Sequence, residues 1–238
     1  MRSRQSLLFG GDLSLQPIQR RLLFESANLP IQCFLEHLSC GRSLERLSTE
    51  TTEEIVLLRG ELGCGPSFHR EVYVCLPPHA SAPPFCARDS GAVFLRLSFE
   101  SGRLTKTGQK ANLQGKPQLE IMDFTRLAWN EIPARRENDP GARTTELSTN
   151  PSRTRITTLM DCRSGWHLHD HDHPSDVLTF CIIGGGVLGI EQHSCAFEAG
   201  HLVAIPAGVR HRFETGPEGA FLVAFVFEPF LESSVNHS

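Results

Sequence analysis

The sequence predicts an all-β protein made of two similar domains in tandem. Two observations set the fold class and a third sets the domain count. Strand-length runs rich in β-branched and aromatic residues recur along the chain, separated by Gly and Pro. No segment sustains a helical period. Landmarks of the first half return in the second at a nearly constant distance.

The runs in order are Glu-Ile-Val-Leu-Leu at 54–58, before Gly60, and Glu-Val-Tyr-Val-Cys at 71–75, before Pro77. Ala-Val-Phe-Leu-Arg-Leu at 92–97 follows Gly91, and Val-Leu-Thr-Phe-Cys-Ile-Ile at 177–183 precedes Gly184. Leu-Val-Ala-Ile at 202–205 ends at Pro206, and Phe-Leu-Val-Ala-Phe-Val-Phe at 221–227 follows Gly219. Gly41 and Gly165, like Gly60 and Gly184, lie 124 residues apart; Pro77 and Pro206 lie 129 apart; Gly91 and Gly219 lie 128 apart. The chain is therefore expected to divide into residues 1–108 and 109–238, each of a normal size for one core. The polar, Gly-rich stretch 100–118 reads as a linker, and polar residues 138–153 read as a loop or surface arm.

Composition narrows the partners. A net charge of −4, with no basic cluster, gives no electrostatic footprint for nucleic acid or an anionic membrane. The basic N-terminus carries too short an apolar run for a signal peptide or a membrane span. None of the eight cysteines forms a Cys-x-x-Cys pair, so most of them read as reduced, partly buried thiols of a cytoplasmic protein.

His167, His169, His171 and His173 occupy every second position between Gly165 and Pro174. Period two puts all four on one face of a strand, where neutral imidazoles can chelate a metal. Around them, Gly165 is followed by five residues, His171-Asp-His173, three residues, Val177, six residues and Gly184. Gly200 is followed by five residues, Pro206-Ala-Gly208, two residues and His211. These two strings, fifteen residues apart, resemble the two motifs of the cupin family. Val177 stands where the family pattern has Glu. In the first half the same template reads Leu47-Ser-Thr49 for the two histidines, Glu53 for the acid, His79 for the turn glycine and Ala82 for the last histidine.

The resemblance implies two double-stranded β-helix (jelly-roll) barrels, the first metal-free and the second metal-binding. It implies a ligand set of His171, His173 and His211 on one divalent transition metal, with Fe(II) favoured and Zn, Mn or Ni as alternatives. A slipped register would instead use His169, His171 and Asp176, but it breaks the distances to both Gly165 and Gly184. His167 and His169 would then line the pocket rim or stand as solvated strand-end residues. Cys181 and Trp166 read as packing, and Arg210 points away from the ligand face.

Function stays open between two classes. Three-histidine sites of this family resemble non-haem iron(II) dioxygenases, and a neutral shell favours a small anionic or chelating organic substrate. Alternatively, the string Glu53-Glu-Ile-Val-Leu-Leu-Arg-Gly-Glu-Leu62 and the layout of both halves resemble the cupin domains of zinc anti-sigma factors. That implies a non-catalytic metal- or ligand-sensing protein. The family also implies a homodimer.

Overall fold

A computed structural model of the chain describes residues 18–26, 31–64, 67–81, 84–100, 119–132, 140–149 and 155–227. Among them are sixteen β-strands, one short 3-10 turn at Phe124–Arg126, and no helix long and apolar enough to cross a membrane. The strands form two eight-stranded antiparallel sheets. The chain separates into two compact units, Met1–Leu127 and Ala128–Ser238. The expected boundary at 108/109 and most of the expected linker lie outside the described residues. Strand β8 (Glu120–Asp123) pairs with β6 and so belongs to the first sheet.

The first unit contains β1 (Ile18–Glu25), β2 (Ile31–Leu38), β3 (Ser43–Leu44), β4 (Thr51–Cys64), β5 (Ser67–His69), β6 (Val72–Leu76), β7 (Phe85–Glu100) and β8, in the order β1-β2-β7-β4-β6-β8. Strand β3 adds to β7 and β5 to β4. The second contains β9 (Asn130–Ile132), β10 (Ala142–Thr149), β11 (Arg155–Cys162), β12 (His167–His171), β13 (Asp176–Ile190), β14 (His193–Glu198), β15 (Leu202–Ile205) and β16 (His211–Phe227). Its order is β14-β13-β16-β11-β10-β9, with β12 on β16 and β15 on β13. Six pairings match one for one: β1·β2 with β10·β11, β2·β7 with β11·β16, β3·β7 with β12·β16, and β4 to β5, β6 and β7 with β13 to β14, β15 and β16.

The repeat also holds at single residues. Gly60 and Gly184 both have left-handed backbones, at φ 88° and 69°. A Cβ on either would sit 2.0 Å from Gly91 O or 2.1 Å from Gly219 O, so only glycine fits at each crossing. His79 takes the left-handed conformation (φ 56°) that Gly208 takes in the second unit (φ 75°). The turn therefore survives the loss of its glycine.

Side chains alternate along each strand, and the inward sets form a core in each unit. Leu38, Ile55, Leu57, Val74 and Phe94 pack inside the first. Cys162, Trp166, Cys181, Phe213 and Leu222 pack inside the second. Residues 142–149, expected within a polar loop, are strand β10, which pairs with both β9 and β11. Its threonines are β-branched, and a partner on each side supplies what its weak hydrophobic pattern does not show.

Candidate metal centre

The centre is built on β12, the residues that follow it and the start of β16. Strand β12 pairs with β16, with His167 opposite Glu214, Leu168 opposite Phe213, and His171 opposite His211. The register shifts between Leu168 and His171. That irregularity corrects the single-face expectation for the four histidines. Leu168 packs with the core, while His167 lies beside Glu214, its Nδ1 3.8 Å from the carboxylate and its side chain 42% exposed. His173 lies beyond the strand's end at His171. A bulge shifts which residues face inward, so period two fails across it.

Three of the predicted residues come together. His171, His173 and His211 each offer one nitrogen, all within 4.8 Å of one another. Ring centroids are 4.2 Å apart for His171 and His211, 4.9 Å for His173 and His211, and 5.8 Å for His171 and His173. His211 is buried and the other two are half-buried.

Each ring is clamped the same way. The Nδ1 of His171 donates to the carbonyl of His169 at 2.8 Å, that of His173 to Ser175 at 2.7 Å, and that of His211 to Val209 at 3.0 Å. A carbonyl only accepts, so each Nδ1 carries a proton, and in the neutral ring Nε2 is then the nitrogen that keeps a lone pair. Such outer hydrogen bonds fix tautomer and ring orientation in metal-binding histidines. Burial, more than any other influence, holds His211 below the usual imidazole range; the neighbouring His171 and His173 push the same way, and the Val209 carbonyl and Asp172 oppose them. The ring is thus kept in its neutral form. The donor set fits a borderline transition ion.

The other candidates lie elsewhere. His169 contributes its carbonyl and stands outside the nitrogen cluster. Asp176, outside it too, accepts a hydrogen bond from Ala207 N at 2.8 Å. Val177 is 8% exposed and shares its strand face with Cys181, which lies in the core. Trp166 is a core residue and Arg210 is exposed. Burial pushes the Cys181 and Cys162 thiols up to about 12, which leaves them protonated and without appetite for an ion.

The equivalent level of the first barrel holds charges instead. Arg96, Glu36 and Glu53 are all fully buried. Arg96 donates to Glu53 through Nε (3.0 Å) and Nη2, to Glu36 through Nη1 (3.4 Å), and to the Glu45 carbonyl at 2.9 Å. The other oxygen of Glu53 accepts from Leu47 N at 2.8 Å and Ser48 N at 3.2 Å. The acid retained from the motif thus pins the segment where the histidines would stand. Sequence reading missed this network, although one arginine inside the apolar run 92–97 was its signal.

No protein-family model matches the sequence. Solved structures resemble it in shape. A cupin 2 conserved barrel domain protein from Leptotrichia buccalis matches with a TM-score of 0.57 at 10% identity, over 90% of each chain. The fold is that of the cupins. Streptomyces albus HEPD, solved with 2-hydroxyethylphosphonate and Fe(II) bound, matches this chain with a TM-score of 0.67 at 10% identity, over 90% of this chain and 71% of that one. An acireductone dioxygenase from Xanthomonas euvesicatoria pv. vesicatoria is 25% identical over 159 residues, 63% of this chain and 79% of that protein.

Proposed function

We propose that the second unit binds one divalent transition metal through Nε2 of His171, His173 and His211. We further propose that it acts as a dioxygenase on a small anionic or chelating organic molecule. The observation that carries the metal reading is the threefold Nδ1–carbonyl clamp on three imidazoles whose nitrogens gather within 4.8 Å. Fe(II) is favoured over Zn, Mn and Ni, and the names of the dioxygenase relative and the Fe(II)-bound neighbour support that choice. A bound ion of this kind would supply Lewis acidity and hold substrate and dioxygen side by side. With no carboxylate at Val177, the shell leaves the double positive charge uncompensated and favours an anionic ligand.

A second reading is a non-catalytic sensor of a metal or ligand. It is favoured by the engagement of Asp176 with Ala207 N and by the position of His169 outside the cluster, so that neither is placed to carry a proton for catalysis. Either reading includes a cytoplasmic homodimer; seven cysteines, Cys33, Cys40, Cys75, Cys86, Cys162, Cys181 and Cys195, are free thiols and suit a reducing compartment.

Metal analysis of tag-free protein tests the site. One equivalent of iron, with oxygen uptake on adding a chelating substrate, is expected for the enzyme. Tightly held zinc without oxygen uptake is expected for the sensor. His211→Ala should weaken metal binding at least a hundredfold, and unchanged occupancy would remove these ligands from consideration.

A further inference from the structure

We infer that Asp176 is a positioning residue for the metal centre, acting on His211 through the turn that precedes it. The inference rests on the metal reading above. Asp176 opens β13, next to the position where the cupin motif places an acid, and its carboxylate reaches the Pro206–Gly208 turn.

Two successive N–H groups of that turn are held by the segment that carries His173. Ala207 N donates to Asp176 Oδ1 at 2.8 Å, and Gly208 N donates to the His173 carbonyl at 2.9 Å. The turn closes on itself through Val209 N to Pro206 O at 3.2 Å. The Val209 carbonyl then clamps the His211 ring. A continuous chain of contacts thus runs from Asp176 to the third ligand.

The ligand-free unit shows which of these bonds belongs to the fold. There His79 N donates to Thr49 O at 2.8 Å, and Ala80 N to Pro77 O at 3.2 Å. These repeat the Gly208 and Val209 bonds at the equivalent positions. The Asp176 bond has no counterpart. Thr52 stands for Asp176, and Pro78, which has no N–H, stands for Ala207. In its place Arg46 ties the turn, donating to the Ala80 carbonyl at 2.8 Å. The backbone bond is common to both barrels, whereas the carboxylate bond occurs only where the histidines are.

Three variants test this: Asp176→Ala, Asp176→Asn, and Ala207→Pro, which grafts Pro78 onto a turn of the same hydrogen bonding. Zn²⁺ affinity, read by competition with a chromogenic chelator, should fall about tenfold in D176A and A207P. D176N keeps an acceptor oxygen and should stay within about threefold of wild type. D176A and A207P combined should be no worse than either alone. In the metal-free protein, D176A should speed amide exchange across residues 207–211 without lowering the melting temperature. Wild-type affinity in D176A or A207P overturns the inference. So does additive loss in the double variant, D176N as weak as D176A, or unchanged exchange. Wild-type protein that takes up no Zn²⁺ would sink the metal reading instead, and exchange in the metal-free chain would still decide the role of Asp176.

Discussion

In the first barrel Arg96 lies between Glu36 and Glu53, and no side chain of the three is exposed. In the second barrel the equivalent positions hold Ala224, Met160 and Val177, and three imidazoles come together. Six strand pairings, the crossing glycines and the backbone hydrogen bonds of the turn are the same in both. The difference teaches that this fold must tie two segments together: the one after β3 or β12 and the turn before β7 or β16. The first unit does so with charges of its own. Arg20 and Arg46 extend the network, at 2.6 Å to Glu36 and 3.7 Å to Glu53. The second presents like groups to one point, an arrangement that an ion would complete.

The largest expected effect comes from breaking the internal network. Replacing Arg96 by Met keeps much of the volume but leaves two carboxylates buried without their shared partner. Removing one member of a buried ion pair costs about 3–5 kcal/mol. R96M should therefore shift the chemical denaturation of the first unit by that amount and leave Zn²⁺ binding unchanged. A shift below about 1 kcal/mol would mean that the network does not replace an ion in holding this barrel together.

A smaller effect sharpens the comparison from the other side. Val177 occupies the place of Glu53 but is lined by apolar neighbours. Val177→Glu should raise Zn²⁺ affinity about tenfold by adding an anionic donor to a neutral shell. The metal-free variant should lose about 1–3 kcal/mol, because a carboxyl is buried there without a hydrogen-bonded partner. Weaker metal binding would show that position 177 does not face the ion.

Much of this was legible in the residues. The constant offsets of Gly41, Gly60, Pro77 and Gly91 gave the two units, since crossings and turns constrain glycine and proline locally. The spacing around His171, His173 and His211 gave the cluster. What stayed hidden depends on pairing. The bulge between Leu168 and His171 is a register event between two strands, and no period within β12 reveals it. The clamps on the rings use backbone carbonyls, which every residue has. The pairing of Arg96 with Glu36 spans sixty residues and arises only when β2 and β7 lie side by side. Strand β10 was missed because its partners, not its own apolar content, make it a strand.

The smallest expected effect concerns the thiols at two core positions. Cys162 and Cys181 stand where the first barrel has Leu38 and Leu57, and they face the same neighbours, Ala220 and Leu222 for Ala92 and Phe94. If the two cores are alike in kind, these cysteines behave as leucines do. Burial pushes both thiols, and that of Cys33, from 9.0 up to about 12. At pH 8 the thiolate fraction of each is then on the order of one in ten thousand. Iodoacetamide should label the exposed Cys40 and Cys195 in the native protein and spare these three. The linkage has a definite sign. Between pH 9 and about 12 the unfolded chain loses these protons and the folded chain keeps them. Stability contributed by the neutral thiols is therefore full below pH 9 and falls as the pH rises through that window. Replacing all three by Ala should flatten that part of the fall and leave Zn²⁺ affinity unchanged. Loss of affinity with Cys162 and Cys181 would make the thiols part of the metal's surroundings, and the second core would then differ from the first in chemistry as well as in its ligands.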